Sequence, residues 1–174
     1  TWWFASFEGL LYEVDFGSDA PSPKAPWPLL SSEELEDGYR IGGAQHLAYH
    51  PGTKRLYSVT HQGGPGSHKD PGDEIWVYDL PSKEKIDVFS APNLIAPFLG
   101  PQAGFDAEGT VGSILSFVLP NMGVHSIVVT PDSKPLLFMR HADLGAVGVL
   151  DALSGEHLRD IVETGLSGAL LVVP

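Results

Sequence analysis

GYRIGGAQHLAYHPGTKRLYSVTHQGGPGSHKDPGDEIWVYD, residues 38–79, decides how the rest of the chain is read. Three runs rich in β-branched, aromatic and aliphatic residues, 45–50, 54–60 and 74–80, are separated by Pro51-Gly52 and by a polar loop, 61–73, with two histidines and four glycines. Runs of this composition bounded by turn residues read as antiparallel strands. A fourth run, 85–90, follows a turn at 81–84, so the stretch predicts a four-stranded antiparallel unit.

Working outward, the same order returns as 125–130, the turn Pro131-Asp132-Ser133, 135–140, 146–151, the turn Ser154-Gly155 and 157–162. Pro135 lacks an N–H and is expected at a strand's first position or on an edge. Val77-Tyr78-Asp79-Leu80-Pro81-Ser82-Lys83-Glu84 superposes on Val149-Leu150-Asp151-Ala152-Leu153-Ser154-Gly155-Glu156, and Val14-Asp15 fits the first two positions. An aspartate there can accept the amides of the following hairpin as an Asx turn. Its periodicity reads as structural rather than catalytic. Upstream, 1–7 and 10–16 flank Glu8-Gly9 and predict a hairpin, followed by a Pro-rich loop at 20–28. Ser31-Ser32-Glu33-Glu34 matches a capping box and predicts one helical turn that ends at Gly38.

Repeated four-stranded units of ~40–50 residues point to a β-propeller. The expected architecture is one all-β partial propeller domain over 1–174. It comprises a partial blade (1–30), a blade with a short helical turn (31–90), an apolar insertion (91–124), and a blade plus a closing strand at 169–174 (125–174). Two full blades with parts of their neighbours leave an incomplete ring, whose bare faces and edges require more chain or another molecule. The insertion carries only Asp106 and Glu108 as charged residues. Loops longer than ~15 residues are usually functional or disordered. This one either packs on its own propeller or contacts a protein through Leu94, Ile95, Phe98, Leu99, Phe105, Ile114, Leu115 and Phe117.

The 174 residues suffice for one domain, and 43% hydrophobic with 10% aromatic content argues against disorder. A formal charge of −12 repels phosphate backbones and anionic membranes, so no nucleic-acid partner is expected. The absence of cysteine removes disulfides and thiolate metal sites. The longest weakly charged apolar run, 110–124, is broken by Gly112, Pro120 and Gly123, so no transmembrane helix is expected. The chain opens on threonine without a leader-like segment, and is expected to be processed, truncated or only part of a longer protein.

Candidate chemistry is sparse. His46 and His50 lie on a strand, where that spacing separates them by ~13 Å. His61 and His68, near Asp70 and Asp73, lack a third ligand of defined geometry. The glycine loop has no Gly-Lys-Ser/Thr and no following helix to bind phosphate, and Ser67-His68 lies in no nucleophile elbow. No catalytic, cofactor-binding or metal-binding residue is assigned. The loop residues His61, Gln62, Gly63, Gly64, His68, Lys69 and Asp70 are read as a partner-contact surface.

The string from Gly38 through Gln45-His46-Leu47-Ala48-Tyr49-His50, Arg55-Leu56-Tyr57, His61-Gln62-Gly63-Gly64-Pro65, His68-Lys69-Asp70-Pro71-Gly72 and Glu74-Ile75-Trp76-Val77-Tyr78-Asp79 resembles the heavy subunits of methylamine dehydrogenase and its aromatic amine dehydrogenase relatives. Asp132-Ser133-Lys134-Pro135-Leu136-Leu137 and residues 151–159 continue the likeness, which covers nearly the whole chain outside 91–124. The resemblance implies the C-terminal portion of a seven-bladed periplasmic propeller. It implies no cofactor in this chain, a light-subunit partner carrying tryptophan tryptophylquinone and the catalytic base, and a copper-protein electron acceptor. A second reading stays open: an interaction or assembly protein that keeps the blades, has lost the enzyme role, and binds a partner through open blade faces and the 91–124 flap.

Overall fold

The computed structural model describes residues 1–17, 20–42, 46–64, 66–67, 70–91, 123–141 and 146–162. Their strands form three antiparallel sheets stacked face to face. The first sheet pairs β1 (Trp2–Ala5) with β2 (Leu10–Asp15) across a turn in which Gly9 has φ +74°, a left-handed conformation suited to glycine. Two short strands, β3 (Ser22–Pro23) and β4 (Trp27–Pro28), pair with the other edge of β2. The expected Pro-rich loop is thus partly strand: its prolines sit on an edge, where the missing N–H costs no ladder bond.

Helix α1 (Ser32–Glu36) follows, with the predicted capping box. The Glu34 amide donates to Ser31 Oγ at 3.2 Å and the Ser31 amide donates to Glu34 Oε2 at 2.7 Å. The second sheet contains five strands rather than four: β5 (Tyr39–Ile41), β6 (Leu47–His50), β7 (Arg55–Gln62), β8 (Glu74–Asp79) and β9 (Glu84–Ser90). β5 and β6 share one edge of β7, opposite 60–62 and 55–58 respectively, so the innermost strand is split in two. At the split a Cβ on Gly42 would lie 2.2 Å from His61 Nδ1. The third sheet runs β10 (Val124–Val129), β11 (Leu136–His141), β12 (Ala146–Asp151) and β13 (His157–Val162) in order. β10 begins one residue earlier than expected, at Val124, and β11 begins directly after Pro135.

The internal repeat holds in its details. Register shifts fall at Val77/Tyr78 and at Val149/Leu150, which are equivalent positions. Asp79 Oδ2 accepts from the Ser82 amide at 2.9 Å; Asp151 Oδ1 accepts from the Leu153 and Ser154 amides at 2.8 and 2.9 Å; Asp15 Oδ1 accepts from the Gly17 amide at 2.9 Å. These bonds hold the Asp79 and Asp151 carboxyls below their ordinary range, through Ser82 in the first case and through the amides of Ser154 and Leu153 in the second. The predicted Asx turns are therefore present at all three aspartates.

Alternation along the central strands builds two cores. Leu56, Trp76 and Tyr78 face the first sheet, where they meet Leu11, Leu29 and Leu30. Tyr57, Val59, Ile75 and Val77 face the third, where they meet Val124, Ile127, Leu137 and Met139. The second sheet is buried on both faces at its central strands β7 and β8, whereas β9 is largely exposed. Polar bonds fasten the layers. Tyr78 donates to Leu29 O at 2.9 Å, Tyr57 to Ala152 O at 2.7 Å, and Arg55 to Leu153 O at 3.0 Å. This stacking of four-stranded antiparallel units is that of consecutive propeller blades. Among the described residues no closed ring forms.

Candidate functional site

The loop after β7 is shorter than the sequence suggests. His61 and Gln62 belong to β7 and pair with Arg40 and Tyr39 of β5. His61 is buried at 4% exposure, so strand pairing and packing take its ring away from the surface. Its Nε2 lies 2.9 Å from Ser67 Oγ, whose own proton goes to Gly64 O at 2.8 Å. Nε2 is therefore the donor, and Nδ1 is left buried without a hydrogen-bond partner. The sequence sets Ser67 beside His68; the fold sets it against His61, with the polarity opposite to that of a serine activated by a base. The pair acts as a latch on the glycine loop.

Of the other proposed contact residues, Gln62, Gly64 and Asp70 are exposed and Gly63 is half-buried. His68 and Lys69 lie outside the described residues, as do the flap residues Leu94, Ile95, Phe98, Leu99, Phe105, Ile114, Leu115 and Phe117 and the expected strand at 169–174. The loop's far end is anchored: the Gly72 amide donates to Val124 O at 2.9 Å and the Val124 amide returns a bond to Gly72 O at 2.6 Å. A Cβ on Gly72 would meet Val59 at 2.4 Å and Thr60 O at 2.6 Å, which is why glycine occupies this seam.

His50 is also buried. Its Nδ1 accepts from the Thr53 amide at 3.1 Å, and Nε2 donates to Asp132 O at 2.9 Å, linking hairpins of neighbouring sheets. A cluster the sequence gives no sign of joins α1 to the second sheet. The Lys85 ammonium lies 3.5 Å from the centre of the Trp76 ring and forms a short ion pair with Glu34. Tyr39 packs on Trp76 at 5.1 Å, and Trp76 Nε1 donates to Glu74 Oε2 at 2.7 Å. Burial pushes the Glu34 carboxyl up, but the bonds from Lys85 and Ser31 outweigh it and hold the group below its usual range. These residues come from four elements, α1, β5, β8 and β9, without a common sequence period, so only folding brings them together.

Burial lowers the His61 imidazole below its ordinary value, against the opposing pull of Asp70 and Asp73. A base with a lowered folded pKa binds fewer protons folded than unfolded. Its stabilising contribution is complete above the unfolded value, near 6.5, and is lost as pH falls below it. Urea midpoints measured from pH 7.5 down to 5 should therefore decrease. His61→Gln should flatten that dependence; an unchanged slope in the variant would assign it to other groups.

No family profile matches the chain. The methylamine dehydrogenase heavy chain of Paracoccus versutus is 24% identical over 160 residues, 92% of this chain and 31% of that protein. The methylamine dehydrogenase heavy chain of Methylophilus methylotrophus is 23% identical over 173 residues, 99% of this chain and 35% of that protein. The chain thus spans about a third of the length of these curated relatives. Similarity of this extent, over stacked sheets that repeat the same turn chemistry, makes the chain a distant relative of the methylamine dehydrogenase heavy chains.

Proposed function

We propose that the chain is a non-catalytic, periplasmic heavy-subunit segment of a quinone-dependent amine dehydrogenase. In this role its blades scaffold a light subunit bearing tryptophan tryptophylquinone, which oxidatively deaminates primary amines and passes electrons to a copper protein. The observation that carries this reading is the similarity to two heavy chains over more than nine-tenths of the chain. The described part of the glycine loop supports it: the buried His61 is committed to Ser67, and Gln62, Gly64 and Asp70 offer exposed contact surface. The excess of 22 acidic over 10 basic residues suits docking to a basic partner.

Purification from the native source through a tag on this chain provides the test. The expected result is a stoichiometric small subunit with visible quinone absorption that is bleached by a primary amine. A homogeneous preparation with no such subunit overturns the proposal and favours the alternative, a propeller-derived assembly protein that binds a partner through open blade faces and the 91–124 flap.

A further inference from the structure

The His61 ring is held at both edges and on one face. Its Nε2–H donates to Ser67 Oγ at 2.9 Å, and the Ser67 hydroxyl passes a bond on to Gly64 O at 2.8 Å. The opposite edge rests on Gly42, where a Cβ would overlap both Nδ1 and Cε1. A Cβ on Gly63 would crowd Ser67 Oγ and His61 Cδ2, and the Phe7 ring lies against the imidazole with centroids 6.5 Å apart. Nδ1 is thus enclosed, and among the described residues it has no hydrogen-bond partner.

The neutral ring tolerates this seat, because Nδ1 is then only an unused acceptor. A proton there adds a buried donor and a positive charge that nothing accepts. The imidazole is rigid, so Nδ1 reaches an acceptor or water only if the ring leaves Gly42, and that movement carries Nε2 away from Ser67. The charges facing the ring do not reverse the balance. Arg40, its register partner on β5, opposes a second positive charge. Asp70 and Asp73 favour it, but both are exposed and screened by water. Phe7, from the β1–β2 connection, brings no charge. The lowered pKa of the imidazole agrees, with burial as its largest cause.

The turn that Ser67 closes is otherwise held by local bonds: the Ser67 amide donates to Gly64 O at 3.2 Å and the Asp70 amide to Ser67 O at 2.9 Å. The two ends are fixed without His61. The Gly63 amide donates to Gly38 O at 2.9 Å, and Gly72 and Val124 exchange bonds. The His61–Ser67 bond therefore ties the middle of a segment whose ends are anchored independently.

We propose that His61 is a proton-operated latch: a proton at Nδ1 frees Ser67, with the exposed Gly64 and Asp70 beside it, from β7, while both anchored ends stay in place. The latch is closed above the ordinary histidine value, near 6.5, and opens progressively as pH falls below it. The surface carried by Gly64 and Asp70 then differs between neutral and mildly acidic conditions. The proposal rests on the geometry of the latch and stands whether or not a quinone subunit is present.

Amide hydrogen exchange followed by NMR on the whole chain provides the test, with rates corrected for the intrinsic effect of pH. From pH 7.5 to 5.5 the protection of the Ser67 and Asp70 amides should fall severalfold and stay insensitive to low urea, the mark of a local opening that exposes little surface. Ser67→Ala should leave the Asp70 amide equally weakly protected at both pH values. His61→Gln, whose side-chain amide can still donate to Ser67, should remove the pH step. A flat profile in the unsubstituted chain, a step that persists in either variant, or Ser67 exchange that follows the urea dependence of the Val59 amide overturns the proposal.

Discussion

Replacing Tyr57 with alanine is expected to destabilise the protein by about 3–5 kcal/mol, the range for deleting a large buried aromatic side chain. Tyr57 has no exposed surface, sits in the core between the second and third sheets, and packs near Phe89 at 6.4 Å. Its hydroxyl donates to Ala152 O across the seam, and burial keeps the phenol protonated by raising its pKa. Tyr57→Phe separates the two contributions. It keeps the ring and loses one buried interlayer hydrogen bond, at a cost of about 1–2 kcal/mol. Urea denaturation of the two variants supplies the comparison. If the phenylalanine variant lost as much stability as the alanine variant, the hydrogen bond rather than the packing would dominate this seam.

The second large effect is expected at Gly155, and its repeat partner is the control. Lys83 and Gly155 occupy equivalent turn positions with φ +58° and +74°, and both amides donate at 2.9 Å to the equivalent carbonyls of Asp79 and Asp151. Their surroundings differ. A Cβ on Gly155 would lie 2.4 Å from Phe89 Cδ1, whereas Lys83 projects into solvent. Gly155→Ala is expected to cost about 2–4 kcal/mol, from the left-handed backbone and the steric overlap together. Lys83→Gly should leave stability unchanged or raise it by up to ~1 kcal/mol, because relief of the left-handed lysine offsets the added freedom of the unfolded chain. Thermal unfolding of both variants checks this asymmetry; a Gly155→Ala loss no larger than the Lys83→Gly gain would mean that backbone conformation alone governs the turn, and a loss in Lys83→Gly as large as that in Gly155→Ala would overturn the expectation.

The contrast between these two turns illustrates how much of the structure is legible in the sequence. Turn chemistry is local: an aspartate followed three residues later by Ser and then by a left-handed residue makes the same hairpin at Asp79 and Asp151, so both could be assigned their bonds from spacing. The capping box at Ser31 and Glu34 was legible for the same reason. His61 was not. In sequence it opens a polar, glycine-rich loop, but pairing with Arg40 carries β7 through it, and packing buries the ring. Strand ends depend on what the neighbouring strand offers, and that information lies some twenty residues away. Gly42 at the end of β5 likewise meets a residue nearly twenty positions away: a Cβ there would lie 2.2 Å from His61 Nδ1.

By itself the sequence determined the repeating strand units, their turn aspartates, the single helical turn and the kinship with the heavy-chain family, because each is encoded within a few neighbouring residues or in their order. Only the tertiary structure decided that strands β5–β9 form one five-stranded layer whose central strands β7 and β8 are buried on both faces, that His61 is a latch on Ser67, and that Trp2, Phe4 and Phe16 are exposed on the first sheet. Those facts depend on which sheet lies above and below each strand. Alternation along a strand names two faces, and stacking alone decides what meets them.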